Sequence, residues 1–198
     1  LGADYVISGG QTMNPSTEDI LTAIEEVGAA YTFILPNNKN IVMAAKQAAE
    51  VSDRTVVVIP TETVPQGLTA LVSFNDQVSM EDNEAFMTEM ISEVISGQVT
   101  RAVRDTIIDG LAIHQDDWLG MVDGRIITAT PTQIDTCQET LKQMITADSE
   151  IVTIIIGEEG TKKEAKQMMK YLEDHFEYLD IEIHQGDQPV YPYLFAVE

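Results

Sequence analysis

A change of rhythm partway along the chain limits the folds open to it. Up to Phe74, short apolar runs alternate with helical patterns. "DYVISGG" (4–10), "YTFILP" (31–36) and "TVVVIP" (55–60) read as strands. Between the first two, Ile20, Leu21, Ile24 and Val27 form one helical face. "NNKNIVMAAKQAAEV" (37–51) predicts a second helix, and "VPQGLTALVSF" (64–74) a short third one interrupted by Pro65 and Gly67. Strands and helices alternating at this spacing imply a parallel βαβ sheet. After Phe74 the pattern shifts. "SMEDNEAFMTEMISEVISGQ" (79–98) predicts a long acidic amphipathic helix stopped by Gly97. Asp109-Gly110 and Asp123-Gly124 then sit between apolar runs, as hairpin turns do. Helices over 130–145 and 161–176 alternate with strands at "EIVTIIIG", "LDIEIHQ" and "YPYLFAVE". The expected fold is α/β in two lobes. Residues 1–75 form a parallel βαβ lobe, and 76–198 a mixed, partly antiparallel α/β lobe of hairpins and packed helices.

At 198 residues and 44% hydrophobic content the chain can build real cores. Its 33 acidic and 11 basic residues leave a net charge of -22, which opposes binding to nucleic acid or to an anionic membrane. No apolar run approaches the roughly 20 residues that span a bilayer. The single Cys137 excludes an intrachain disulfide and fits a reducing, cytoplasmic setting. The chain opens on "LGADYVIS", without Met and almost directly in a strand, which gives the expectation of a piece of a longer protein.

Few residues suggest chemistry. "IIIGEEGTKKEA" places glycines between a strand and a helix but lacks the spacing of a nucleotide loop, and Glu158 and Glu159 would repel a phosphate. It reads as a tight turn. "HQDDW" (114–118) reads as a solvated turn, since His175 and His184 have no matching ligand spacing to it. Cys137 falls within an amphipathic helix and is expected to be a buried hydrophobe. Arg101 and Arg104, in "VTRAVRDT", are placed on a strand; salt bridges are the default role, and an anion or partner contact the alternative. The strongest candidate is composite. In parallel α/β sheets, ligands gather at the carboxyl ends of strands. There the loops Gly9–Ser16, Pro36–Asn40 and 60–67 would meet, offering Thr12, Asn14, Ser16, Asn37, Asn38, Lys39 and Gln66. Ser16 also reads as a helix N-cap, with Asp19 completing a capping box.

"GGQTMNPST", "LPNNKNIVMAA", "VPQGL" and "GQVTRAVRDT", in this order, resemble the C-terminal domain of the ATP-binding subunit of bacterial fatty-acid kinase, a family also called dihydroxyacetone-kinase-like. The resemblance covers nearly the whole chain. It implies a two-lobed fold like that of DegV proteins, the fatty-acid-binding partner subunits. Those partners hold the fatty-acid carboxylate with a T-S-Q-P-S motif. "TMNPS" resembles it at Thr12, Pro15 and Ser16, with Asn14 in place of Gln and Met13 in place of the first Ser, which removes one hydroxyl donor. The resemblance implies no cofactor in this chain, ATP and magnesium in a kinase domain outside it, a fatty-acid-binding DegV-family partner, and a homodimeric whole protein. Three functions stay open: a non-catalytic domain that docks this partner, a lipid- or small-molecule-binding domain, and a part of a dihydroxyacetone (glycerone) kinase-like enzyme.

Overall fold

A computed structural model describes residues 2–9 and 14–198. The chain forms two compact units, Leu1–Val94 and Ile95–Glu198.

In the first unit the order is α1 (Thr17–Val27), β1 (Tyr31–Ile34), α2 (Lys39–Val51), β2 (Thr55–Val58), α3 (Val64–Ser73) and α4 (Met80–Glu93). β1 and β2 pair in parallel, from Tyr31 opposite Thr55 to Ile34 opposite Val58. Strand alternation then sorts the side chains. Ile34, Val56 and Val58 pack with Ile20 and Ile24 of α1 and with Ile41, Ala45 and Ala48 of α2. Phe33, Leu35, Val57 and Ile59 pack with Ala70 of α3 and Met87 and Ile91 of α4. Helices therefore cover both faces of a parallel pair, as the βαβ reading requires.

Three expectations change here. Residues 4–9 form no strand, and Val6 is 80% exposed. Apolar, β-branched composition does not make a strand where no neighbour supplies a ladder. The boundary between units falls after Val94, beyond the expected 75–80. Asn83, buried in α4, locks that helix to the end of α3: its Nδ2 donates to Asn75 O (2.9 Å) and its Oδ1 accepts from Asn75 N (2.9 Å). Finally, α4 stops at Glu93, and Gly97 is a strand residue rather than a helix stop.

The second unit runs β3 (Ile95–Arg101), β4 (Thr106–Ile108), β5 (Leu111–Ile113), β6 (Trp118–Val122), β7 (Arg125–Thr130), α5 (Gln133–Met144), β8 (Ile151–Ile156), α6 (Lys162–His175), β9 (Asp180–Gln185) and β10 (Tyr193–Val197). Six strands form one sheet in the order β7-β6-β3-β10-β8-β9, antiparallel except for β8 with β9. β4 and β5 form a separate hairpin. Both Asp-Gly turns have positive φ at both residues (49° and 84°; 45° and 78°), the geometry that suits the twist of a two-residue hairpin. Among the described residues no helix is long and apolar enough to cross a membrane.

α5 and α6 cover the core-bearing face of this sheet. Cys137, Leu141 and Met144 of α5, with Ala165, Met168 and Leu172 of α6, close over Val99, Ile154, Tyr193 and Phe195. Burial raises the Cys137 thiol far above its ordinary pKa, so it behaves as the expected hydrophobe. Two strand glycines allow α5 to sit close. A Cβ added at Gly97 would lie 2.4 Å from the Met144 sulfur, and one at Gly120 would lie 1.9 Å from Thr140 Oγ1 and 2.6 Å from Thr128 Cγ2. We expect Gly120→Ala to cost about 1–3 kcal/mol in equilibrium denaturation, through overpacking. The double variant Gly120→Ala/Thr140→Ala should recover part of that loss, a coupling that additive single effects would contradict.

Candidate functional site

The composite site begins where β1 ends. Leu35 and Pro36 lead into Asn37, whose φ of 56° lies in the left-handed region that Asn tolerates better than most residues. That turn swings Asn37 toward the loop after β2. Its N–H donates to Thr61 Oγ1 (3.0 Å), and the same hydroxyl donates to Asn37 Oδ1 (2.9 Å). Thr61 is fully buried, and its hydroxyl both accepts and donates in this clasp. Gly67, in the first turns of α3, makes room for it. A Cβ there would lie 1.9 Å from Asn37 Oδ1.

The surrounding polar groups are caps. Asn38, buried, N-caps α2 by accepting from Asn40 N (2.9 Å). Thr63 N-caps α3, accepting from Gln66 N (3.2 Å), and Pro65 sits in the first turn, where a missing N–H costs nothing. The Gln66 carboxamide accepts from Glu62 N (2.8 Å) and donates to Ile91 O (3.4 Å), tying the start of α3 to the end of α4. Lys39 is exposed at the first position of α2.

The first loop contributes Asn14, exposed, and Ser16, also exposed. Thr12 lies outside the described residues. Ser16 forms the expected capping box: its hydroxyl accepts from Asp19 N (3.1 Å), and the Asp19 carboxylate accepts from Ser16 N (2.8 Å). Such a cap contributes about 1 kcal/mol. The Ser16 hydroxyl and N–H hold the Asp19 carboxyl below its ordinary pKa. A depressed acid stabilises above its unfolded pKa, so this contribution is present at neutral pH and is lost as pH falls through the depressed value.

The arginines belong to the second unit. Arg101 ends β3; its Nε is 3.7 Å from Asp116 Oδ1, and its guanidinium carbon lies 5.3 Å from the centre of the Trp118 ring. Arg104 is not on a strand, because β3 has ended and β4 begins only at Thr106; it is exposed in the connection. "HQDDW" is a turn as read: Asp117 Oδ2 accepts from His114 N (2.8 Å), and Asp116 has φ 70°. The "GEEG" turn has a packing explanation. A Cβ at Gly157 would lie 2.2 Å from Tyr191 O, and one at Gly160 2.3 Å from Pro192 O. At the start of α6, where an anion would seek amide donors, Thr161 N donates to the Tyr193 hydroxyl (2.7 Å). Burial, with Glu164 nearby, pushes the Tyr193 hydroxyl up to about 12. Among the described residues no three His, Cys, Asp or Glu side chains converge as a metal site would require.

The structure thus joins Asn37, Asn38 and Gln66 in adjacent loops and adds Thr61, which sequence reading passed over. The only local hint was its place just past a strand, since its partner is 24 residues away. Gly67→Ala should lower the unfolding free energy by about 1–3 kcal/mol, because displacing Asn37 outweighs the better helix propensity of Ala. Adding Asn37→Gly, which supplies the positive φ and vacates the space, should recover most of the loss in thermal unfolding.

Known proteins share both the sequence and the fold. Protein YloV of Bacillus subtilis (strain 168) is 50% identical over all 198 residues. The chain spans only 36% of that protein's length, about a third. A DegV family protein of Corynebacterium glutamicum superposes with TM-score 0.67 at 16% identity, over 97% of this chain and 86% of that one. The Streptococcus pneumoniae Fatty Acid Kinase (Fak) B3 protein, solved loaded with linoleic acid, gives TM-score 0.67 at 14% identity, over 93% of this chain and 76% of that one. The dihydroxyacetone kinase of C. freundii gives 0.57 at 13% identity, over 93% of this chain and 42% of that one. Identities this low show the fold alone, a DegV-like mixed α/β architecture. The sequence profile of the fatty acid kinase FakA-like C-terminal family matches residues 1–198 from end to end. The chain belongs to this FakA-like C-terminal family of fatty acid kinase domains.

Proposed function

We propose that this chain is the non-catalytic C-terminal domain of a cytoplasmic fatty-acid kinase subunit. In this reading it docks a fatty-acid-binding partner of the DegV family. A kinase domain elsewhere in the protein, using ATP and magnesium, then transfers the γ-phosphate to the fatty-acid carboxylate. Family membership supports the kinase context. The observation that carries the non-catalytic role is the Asn37–Thr61 clasp: at the strand ends where α/β proteins bind ligands, the polar groups are spent on each other and on helix caps. A hydroxyl already bonded on both sides has little left to offer a carboxylate. The homodimer expected of the whole protein finds no support in the comparisons.

A second reading, a lipid-binding domain, is favoured by one specific observation: the fold is shared with a protein solved with linoleic acid. The likeness to dihydroxyacetone kinase is one of fold only, and nothing in the site adds to it.

Competition tests the proposal. The 198-residue chain, added in excess, should displace the full-length kinase protein from its fatty-acid-loaded partner and so suppress acyl-phosphate formation. On its own it should not turn over ATP at the roughly 1–100 per second of kinases. Undiminished acyl-phosphate formation at saturating chain would contradict docking.

A further inference from the structure

We propose that the α3–α4 helical hairpin of the first unit is the docking face, and that it takes a protein surface with an apolar centre ringed by Lys and Arg. This rests on the docking reading above and assigns it a place.

The first observation is apolar. α3 is apolar on both sides. Pro65, Gly67 and Ala70 are buried, and on the other side Val64, Leu68, Leu71 and Val72 fall at i, i+4, i+7 and i+8, one stripe along the helix. Val64 and Val72 are exposed, Val72 by 68%, and Leu68 and Leu71 are only half-buried. A helix that is apolar all round is normally buried all round. The same hairpin exposes Phe74, Val78 and, on α4, Phe86 at 49%. The two helices are antiparallel and firmly joined, by Asn83 to Asn75 at one end and by Gln66 to Ile91 O at the other. The face is therefore rigid.

The second observation is electrostatic. From Thr55 through Thr100 the chain has no Lys, Arg or His. Over that span α4 carries Glu81, Asp82, Glu84, Glu89 and Glu93. None of the ion pairs among the described residues involves α3 or α4. Glu81 and Asp82 favour the positive N-terminal end of α4, but Glu93 sits in the last turn, where a carboxylate opposes the helix dipole and no basic residue offsets it. Glu89 and Glu93 are also like charges at i, i+4, which works against the helix. Helix stability does not account for these positions; attraction of a cationic rim does. An anionic lipid surface is excluded by the same charge, and a second copy of the chain would bring like charge to like.

The test measures the affinity of the chain for the fatty-acid-loaded DegV-family protein from the same genome, by calorimetry at about 50 and about 500 mM salt. Wild type should bind, and more weakly at high salt. Val72→Ser/Phe86→Ser removes two exposed side chains without touching a core and should weaken binding at least about tenfold. Glu89→Gln/Glu93→Gln should weaken low-salt binding and flatten the salt dependence. Ile107→Ser, on the exposed face of the β4–β5 hairpin, is 74% exposed and should leave affinity unchanged. Unchanged affinity of the Val72/Phe86 variant, or a loss in the Ile107 variant, overturns this face while the docking reading stands. A wild-type dimer in sedimentation that the Val72/Phe86 variant dissolves makes the face a self-interface and also overturns the proposal. No binding by wild type overturns docking itself, and this face with it.

Discussion

The first unit's candidate site depends on one buried hydroxyl. Thr61 Oγ1 meets both the N–H and the side-chain oxygen of Asn37, so two loops that leave adjacent parallel strands are fixed to each other. Everything near the clasp conforms to it. Asn37 takes a left-handed turn to reach Thr61. Gly67 gives up a side chain in a helix, at some cost in propensity, because any Cβ would strike Asn37. Asn38 and Thr63 then begin the next helices in register. A βα loop that must close on a ligand keeps donors pointing outward; these loops have turned theirs inward.

The second unit depends on close approach of helix and sheet. Its last strand, β10, lies in the middle of the sheet with all five residues buried, so the core is complete only when the end of the chain is in place. α5 rests on β3 and β6 at the two positions where the strands carry glycine. Tyr193 ties the central strand to the start of α6 through Thr161 N, which fills with a protein group a position suited to an anion. In both units, polar groups at helix starts are engaged within the protein. The surface that remains distinctive is the basic-free α3–α4 hairpin.

Signals confined to a few residues were legible in the sequence. The Ser16–Asp19 box, both Asp-Gly turns, the βα alternation, the burial of Cys137 and the turn at "HQDDW" all depend on neighbours within about four residues. What failed depends on distant partners. "DYVISG" has strand composition, but its residues 4–9 have no ladder. Helical periodicity through Met80–Glu93 runs into an apolar strand, so Gly97 resembled a stop; the sheet pairing of Gly97 with Val122 and Phe195 decides otherwise. The Asn83 lock that assigns α4 to the first unit has no periodic signature, and neither has the Thr61 clasp. Arg104 looked like a strand residue because its neighbours alternate, yet β3 ends three residues earlier.

The central claim is that this fold, shared with a protein solved with a fatty acid, has its strand-end polar groups closed on themselves and works through its surface. Mass spectrometry of the purified chain, native and then denatured, tests that most directly. The account predicts a native mass equal to the polypeptide alone and no fatty acid released on denaturation. Fatty acid released in near-stoichiometric amount would contradict it, because the chain would then hold lipid itself.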